Sequence, residues 1–305
     1  MNSEEKNNLI KAGQITIKVK KYAREIIKKD VPLLEIANKI EDKIHELGGK
    51  IAFPTNLSIN EIAAHYTPSA DDKTLASGLL KIDIGVHING FIADTAFTLD
   101  LENSEINKQL IQASEFGLSS GIKSLKSNPE ISLGELGKNI QKEIEKNNCQ
   151  PIVNLTGHSL DQYELHSGIT LQNTETTNEN YLPEGAYAIE PFATEKTASG
   201  RVKDGNPSGI YLLQDLKQIR NPTARKVLDY IKENYSTLPF CSRWLVNSKK
   251  FSIPEVKIAL FQLEKNENLH QFSQLVESSK KRVAQSEHTV IIDEDSKEKV
   301  VVSTG

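Results

Sequence analysis

Sulfur is scarce in this chain: its two cysteines, Cys149 and Cys241, stand far apart among 305 residues, with no CxxC spacing. That leaves out a cysteine zinc knuckle and a dithiol redox motif, and the expectation is two reduced thiols. Any metal must then be held by His, Asp and Glu, ligands that suit Mn, Fe, Co or Zn rather than soft-metal chemistry. No apolar run approaches the ~18 residues of a spanning helix. The opening MNSEEKNN is too polar for a signal peptide, so a cytoplasmic protein is expected. Charge of one sign is not in excess either: a net charge of −4 gives no global reason to bind nucleic acid or an anionic membrane. What remains, 37% apolar and 26% charged residues, is an ordinary soluble composition with length for one large domain or two smaller ones.

The most informative stretch is Lys81 to Asp100, KIDIGVHINGFIADTAFTLD. Ile82, Ile84, Val86 and Ile88 alternate with Asp83, Gly85, His87 and Asn89, the period of a strand with one apolar face. Asn89-Gly90 suits a two-residue turn because both residues tolerate positive φ. With that turn Gly85 faces Asp94 and Asp83 faces Ala96, so the two aspartates are diagonal neighbours roughly 7 Å apart at the backbone, within joint reach of one ion. Two carboxylates this close repel unless a cation lies between them. An exposed hairpin face that merely carries two acids is the plainer alternative, and this segment alone does not separate the two.

Around the hairpin, residues 9–27 read as an amphipathic helix with Leu9, Ile10, Ile15, Ile17, Val19, Tyr22, Ala23, Ile26 and Ile27 among lysines. A second helix opens near Pro32 and stops at Gly48-Gly49, where a left-handed cap costs little. Asn107 to Leu125, with Leu110, Ile111, Ala113 and Phe116 on its apolar side, and Leu133 to Asn147 read as two more. AFPTNLSINEIAAHYTP ends near a lone histidine, His65, ordinarily a structural or surface residue. His158 and His166 stand in IVNLTGHSLDQYELHSGI near small residues that free the backbone to present a ring. Glu190 in GAYAIEPFAT shares a strand face with Ala186 and Ala188, awkward for a core and natural for a ligand. Gln285, Glu287 and Thr289 follow the same logic, and Asp293 to Lys297 turn into a last strand, Val300 to Val302. Between Gly200 and Val283 lies a helical unit. One helix starts at Asn221-Pro222, and Ser252 and Glu255 form a capping box for another, which carries Val256, Ile258, Ala259, Leu260 and Leu263. The unit is similar to a winged helix but lacks a basic recognition face, so no specific nucleic acid is expected.

In order, AFPTNLSINEIAAHYTP, KIDIGVHINGFIADTAFTLDL, LTGHSLDQYELHSG, YAIEPFAT and AQSEHTVII resemble the type 2 methionine aminopeptidases, and NENYSTLPFCSRWL resembles the insertion that sets type 2 apart from type 1. The compact length is similar to archaeal members. The resemblance implies an α+β "pita-bread" fold of two pseudo-symmetric halves, with residues 1–205 and 274–305 as catalytic domain and 206–273 as a helical, winged-helix-like insertion. It implies that Asp83, Asp94, His158, Glu190 and Glu287 hold two divalent ions (Co, Mn, Fe(II), Ni or Zn), with Asp94 and Glu287 bridging. It brings His65 and His166 into the site as catalytic and substrate-binding residues, and Glu190 as general base. Phe53, Leu165, Phe192 and Phe272 are the implied methionine pocket. One pocket-rim position, a histidine in many relatives, falls within Gly205 to Tyr211, where this chain has none. Ser286 stands where relatives often carry an aromatic, and its side chain is expected to point away from the site.

The implied activity is removal of the N-terminal methionine from nascent proteins whose second residue is small, by a cytoplasmic monomer with possible transient ribosome contact and no membrane. A proline-specific aminopeptidase or prolidase shares fold and ligands, so the ligands alone do not exclude it. A non-enzymatic ribosome- or RNA-binding relative is the alternative of a different class, and such relatives typically lose ligands.

Overall fold

A computed structural model describes every residue except Lys297, so the end of the turn expected over Asp293 to Lys297 lies outside the described residues. The first half runs α1 (Ser3–Ile26), α2 (Leu33–Glu46), β1 (Lys50–Ile59), β2 (Ile62–Ala64), β3 (Leu79–Ile88) and β4 (Phe91–Asp100). Asn2 and Glu5 form a capping box that satisfies the first amides of α1. At the end of α2, Gly48 takes φ +83° and its N–H donates to His45 O, the left-handed cap expected of Gly48-Gly49. Strands β1, β3 and β4 form one antiparallel sheet. Its apolar face, with Leu80, Ile82, Ile84 and Val86, packs into a core with Val19, Ala23, Ile36, Ile40 and Ile44 of the two helices.

The second half repeats two helices and then strands: α3 (Glu105–Ser127), α4 (Leu133–Lys146), β5 (Cys149–Pro151), β6 (Thr156–Leu160), β7 (Thr170–Gln172), β8 (Gly185–Ile189) and β9 (Phe192–Glu195). Next come β10 (Val202–Leu213), α5 (Pro222–Asn234), β11 (Phe240–Cys241), α6 (Ser242–Asn247), α7 (Ile253–Lys265) and β12 (Leu269–Glu277). The chain ends on β13 (Val283–Gln285), β14 (His288–Ile292) and β15 (Val300–Val302). Leu110, Leu136, Ile140, Ile144 and Ile189 anchor this half's core. Helices α5 to α7 enclose a separate core of Val227, Ile231, Phe240, Leu245, Val256 and Leu263. They hang from β10 and β12, which pair from Val202–Glu277 to Leu213–Leu269. The bounds 206–273 therefore fall inside those two strands.

Two apolar residues read from sequence onto the apolar faces of helices are exposed, Ile17 at 40% and Phe116 at 50%, and so is Ile258 of α7 at 54%. The buried stripe of α1 runs Leu9, Ala12, Gly13, Thr16, Val19, Ala23, helical spacing that leaves Ile17 off the face. Small residues form that stripe because the chain passes close: a Cβ on Gly13 would lie 2.1 Å from Ser303 O. In α3 and α7 the buried positions likewise bypass 116 and 258. No helix among the described residues is long and apolar enough to cross a membrane.

Candidate metal centre

The hairpin forms as its sequence dictates. Asn89 and Gly90 have φ 52° and 90°, the two positive values of a type I′ turn, and the register places Gly85 opposite Asp94 and Asp83 opposite Ala96. Both aspartates point into a cavity of about 360 Å³, which also takes in Phe53, His65, His158, Leu165, His166, Glu190, Phe192, Phe272 and Glu287. All eleven residues singled out in the sequence thus meet in one place.

Each arrives by a different route. His158 lies on β6 opposite Ala188 of β8, and Glu190 follows one residue after β8, its carbonyl accepting from Asn173 Nδ2 at 3.0 Å. Glu287 occupies the break between β13 and β14, where its N–H donates to Ala96 O at 2.9 Å. Thr289 ties the halves together: Asp94 N–H donates to its hydroxyl at 2.7 Å, and that hydroxyl donates back to Asp94 O at 2.8 Å. His65 holds a left-handed backbone at φ 63°, and its ring meets Phe272 edge-on, centroids 5.7 Å apart.

The electrostatics are those of a site built for cations. Asp94, His158 and Glu287 each offer a ligand atom, all within 4.8 Å of one another. His158 Nε2 lies 3.8 Å from Asp94 Oδ2 and 3.6 Å from Glu190 Oε1. Asp83 Oδ1 and Asp94 Oδ1 are buried with no hydrogen-bond partner, an arrangement that costs several kcal/mol unless something positive satisfies it. With protein alone around them the carboxyls resist ionising. Burial raises Asp83 to about 7. Burial, then the neighbouring carboxylates, hold Asp94 and Glu287 well above the usual range, and burial with Asp83 does so for Glu190. The imidazoles go the other way: burial lowers His158 to about 3 and His65 to about 4, and lowers His166 too. Neutral rings and crowded carboxyls are the protonation states that a divalent ion converts into ligands.

The comparisons with known proteins agree with the geometry. The profile of metallopeptidase family M24 matches residues 7–294. The chain belongs to this family. A methionine aminopeptidase from Methanocaldococcus jannaschii is 43% identical, covering 98% of this chain and 99% of its own. Among solved structures, a thermophilic Arx1 superposes at TM-score 0.82 with 15% identity, covering 100% of this chain and 91% of that one. The methionine aminopeptidase from Thermotoga maritima superposes at 0.70 with 20% identity, covering 100% and 98%. Identities this low speak to fold alone, which is the two-halved pita-bread fold of M24, with Asp83 and Asp94 given by one half and His158, Glu190 and Glu287 by the other.

The cavity also contains residues the sequence did not single out. Asn56, three residues after Phe53, lines it beside Asp83, its partner in the β1–β3 register. Within the Gly205 to Tyr211 segment, Ile210 faces it, so the rim is apolar there. Ser286 points away as expected: its hydroxyl lies 2.8 Å from that of Ser114 on α3.

Proposed function

We propose that this M24 chain is a metal-dependent methionine aminopeptidase of the type 2, archaeal-size kind, cleaving the first peptide bond of polypeptides that begin with methionine and continue with a small residue. The observation that carries the reading is the meeting of five His/Asp/Glu ligands, two of their oxygens unpartnered, with an apolar pocket in one cavity. Asp83, Asp94, His158, Glu190 and Glu287 would hold two divalent ions. Such ions supply Lewis acidity and a water whose pKa falls from ~15.7 toward ~7.

The chain's own residues do the rest. Glu190 is the general base that accepts the attacking water's proton and returns it to the leaving amine, a role typically worth ~10²–10⁴-fold. His166, kept neutral by burial, can donate an N–H to the oxygen on which negative charge develops, while neutral His65 spends its one N–H on Ser273 O, 3.2 Å from Nδ1, and turns Nε2 to the site as an acceptor. Phe53, Leu165, Phe192 and Phe272 enclose the thioether side chain, which aromatic surfaces favour. We place the activity in the cytoplasm, on nascent N-termini, as the work of a monomer whose helical insertion is free for transient ribosome contact. Which of Co, Mn, Fe(II), Ni or Zn is used follows availability in the cell.

The test is hydrolysis of Met-Ala-Ser and of Xaa-Pro-Ala after chelation and re-addition of Mn, Fe(II) or Co, with Glu190→Ala as control. Metal-dependent release of Met that disappears in the variant is expected. Activity on Xaa-Pro-Ala alone would move the chain to the prolidase branch. Release from neither peptide, with metal bound, would overturn the enzymatic reading.

A further inference from the structure

Strand β1 breaks its alternation where it enters the cavity. In an unbroken strand Phe53 and Asn56 would face opposite sides. The register against β3 slips between them, as an inserted residue makes it do, and both side chains line the cavity. At the slip the buried Thr55 N–H donates to Glu41 Oε1 of α2 at 3.2 Å. That carboxylate is gripped by the insertion. Arg243 of α6, with no exposed surface, reaches Oε2 through Nη1 at 2.5 Å and Oε1 through Nη2 at 2.8 Å, while Trp244 Nε1 donates to Oε2 at 2.8 Å.

The same guanidinium reaches the segment that leaves His65. Its Nε donates to Pro68 O at 3.1 Å and its Nη2 to the Thr67 hydroxyl at 3.4 Å, and that hydroxyl donates to Thr55 O at 2.9 Å. We infer that Glu41 and Arg243 are positioning residues, through which the helical insertion sets where Phe53, Asn56 and His65 stand in the cavity. A buried ion pair gives poor grounds for a purely stabilising role, because desolvation offsets much of its attraction. Besides Asn38 of α2 and Trp244, this pair holds the Thr55 N–H, the Pro68 carbonyl and the Thr67 hydroxyl, which belong to two segments that carry pocket residues.

The inference rests on the aminopeptidase reading, so the full chain is measured first as wild type, then as Glu41→Gln and Arg243→Lys. Lysine keeps the charge but gives up the planar fork that spans Glu41, Thr67 and Pro68. The expected result is a kcat/KM for Met-Ala-Ser lowered about tenfold, mainly through a KM raised by the displaced Phe53 and Asn56, with a smaller fall in kcat from the displaced His65. Mn affinity by titration stays at the wild-type value, and amide hydrogen exchange quickens in peptides covering residues 52–58 and 65–68 but not elsewhere. Folded variants with wild-type KM and exchange would overturn the inference. So would a uniform rise in exchange or a parallel loss of Mn affinity, either of which makes the pair merely structural. A wild type that releases no Met sinks the aminopeptidase reading instead, and the exchange pattern still decides the positioning role. Should Glu41→Gln fail to fold, Arg243→Lys carries the same readouts.

Discussion

Gly85 has no room for a methyl group: a Cβ there would lie 2.2 Å from Phe53 Cε1. The two residues are partners in the β1–β3 register, so the missing side chain is what lets the ring lie against β3 and wall the cavity. Gly85→Ala is therefore expected to push the ring into the substrate's space, raising KM for Met peptides while costing about 1–3 kcal/mol of stability through overpacking. Steady-state kinetics and a denaturant melt check both; an unchanged KM would mean that the ring is no part of the substrate wall. At this scale the sequence was legible wherever a residue was out of place for its surroundings. Asp83, Asp94 and Glu190 are acids on apolar or small-residue strands, and each is in the cavity. Asn56 was not legible, because only the slip in β1 turns it inward. Nor was the left-handed backbone of His65, which depends on what surrounds it.

Between elements, the seam that matters joins β4 to β14, and Thr289 closes it. Its hydroxyl both accepts from and donates to the backbone of Asp94 while its own N–H is taken by the Thr304 hydroxyl, and the residue is fully buried. Thr289→Val keeps the shape and removes the hydroxyl, leaving a buried N–H unpaired at a loss of about 1–3 kcal/mol. Because that N–H belongs to Asp94, weaker metal binding should accompany the lower melting temperature. Titration of Mn into the variant tests this, and wild-type affinity would show that Asp94 is held by its strand alone. Elements were read well where local chemistry decides them: the Asn89-Gly90 turn, the Ser252 capping box and the Asn221 cap on α5 are all in place. Helix faces were read less well. Ile17 and Phe116 are apolar yet exposed, since one apolar residue off the stripe costs little on a surface.

Over the whole molecule, the two halves meet at a cluster of carboxyls that either protons or cations can neutralise, which links metal loading to pH. A carboxyl raised from its unfolded value near 4, to about 7 for Asp83 and well above the ordinary range for Asp94, Glu190 and Glu287, holds its proton in the native chain to higher pH than in the unfolded one and releases it on unfolding. Its contribution is complete below the unfolded value and is lost as pH rises through the folded one. The buried histidines act oppositely. Their lowered values, about 3 for His158 and about 4 for His65, favour the native state above the unfolded value near 6.5 and disfavour it as pH falls. Below about pH 6.5 the two sets therefore oppose each other, and above it the carboxyls act alone. Between pH 6.5 and 8 the chelated protein should lose stability by about 1.4 kcal/mol per pH unit for each carboxyl still holding a proton. The metal-loaded protein, its carboxyls already ionised, should not. Subtracting melting curves in chelator from those in Mn cancels remote groups such as the buried Lys81 and leaves the share of the cluster together with Lys20, which burial lowers to about 8 and which is coupled to Glu287. The gap is expected to widen across that window by about 2 °C per kcal/mol for a chain this long. A gap that stays constant from pH 6.5 to 8 would mean that protons and metal do not compete for these oxygens, and that the cluster is not the seam on which the two halves close.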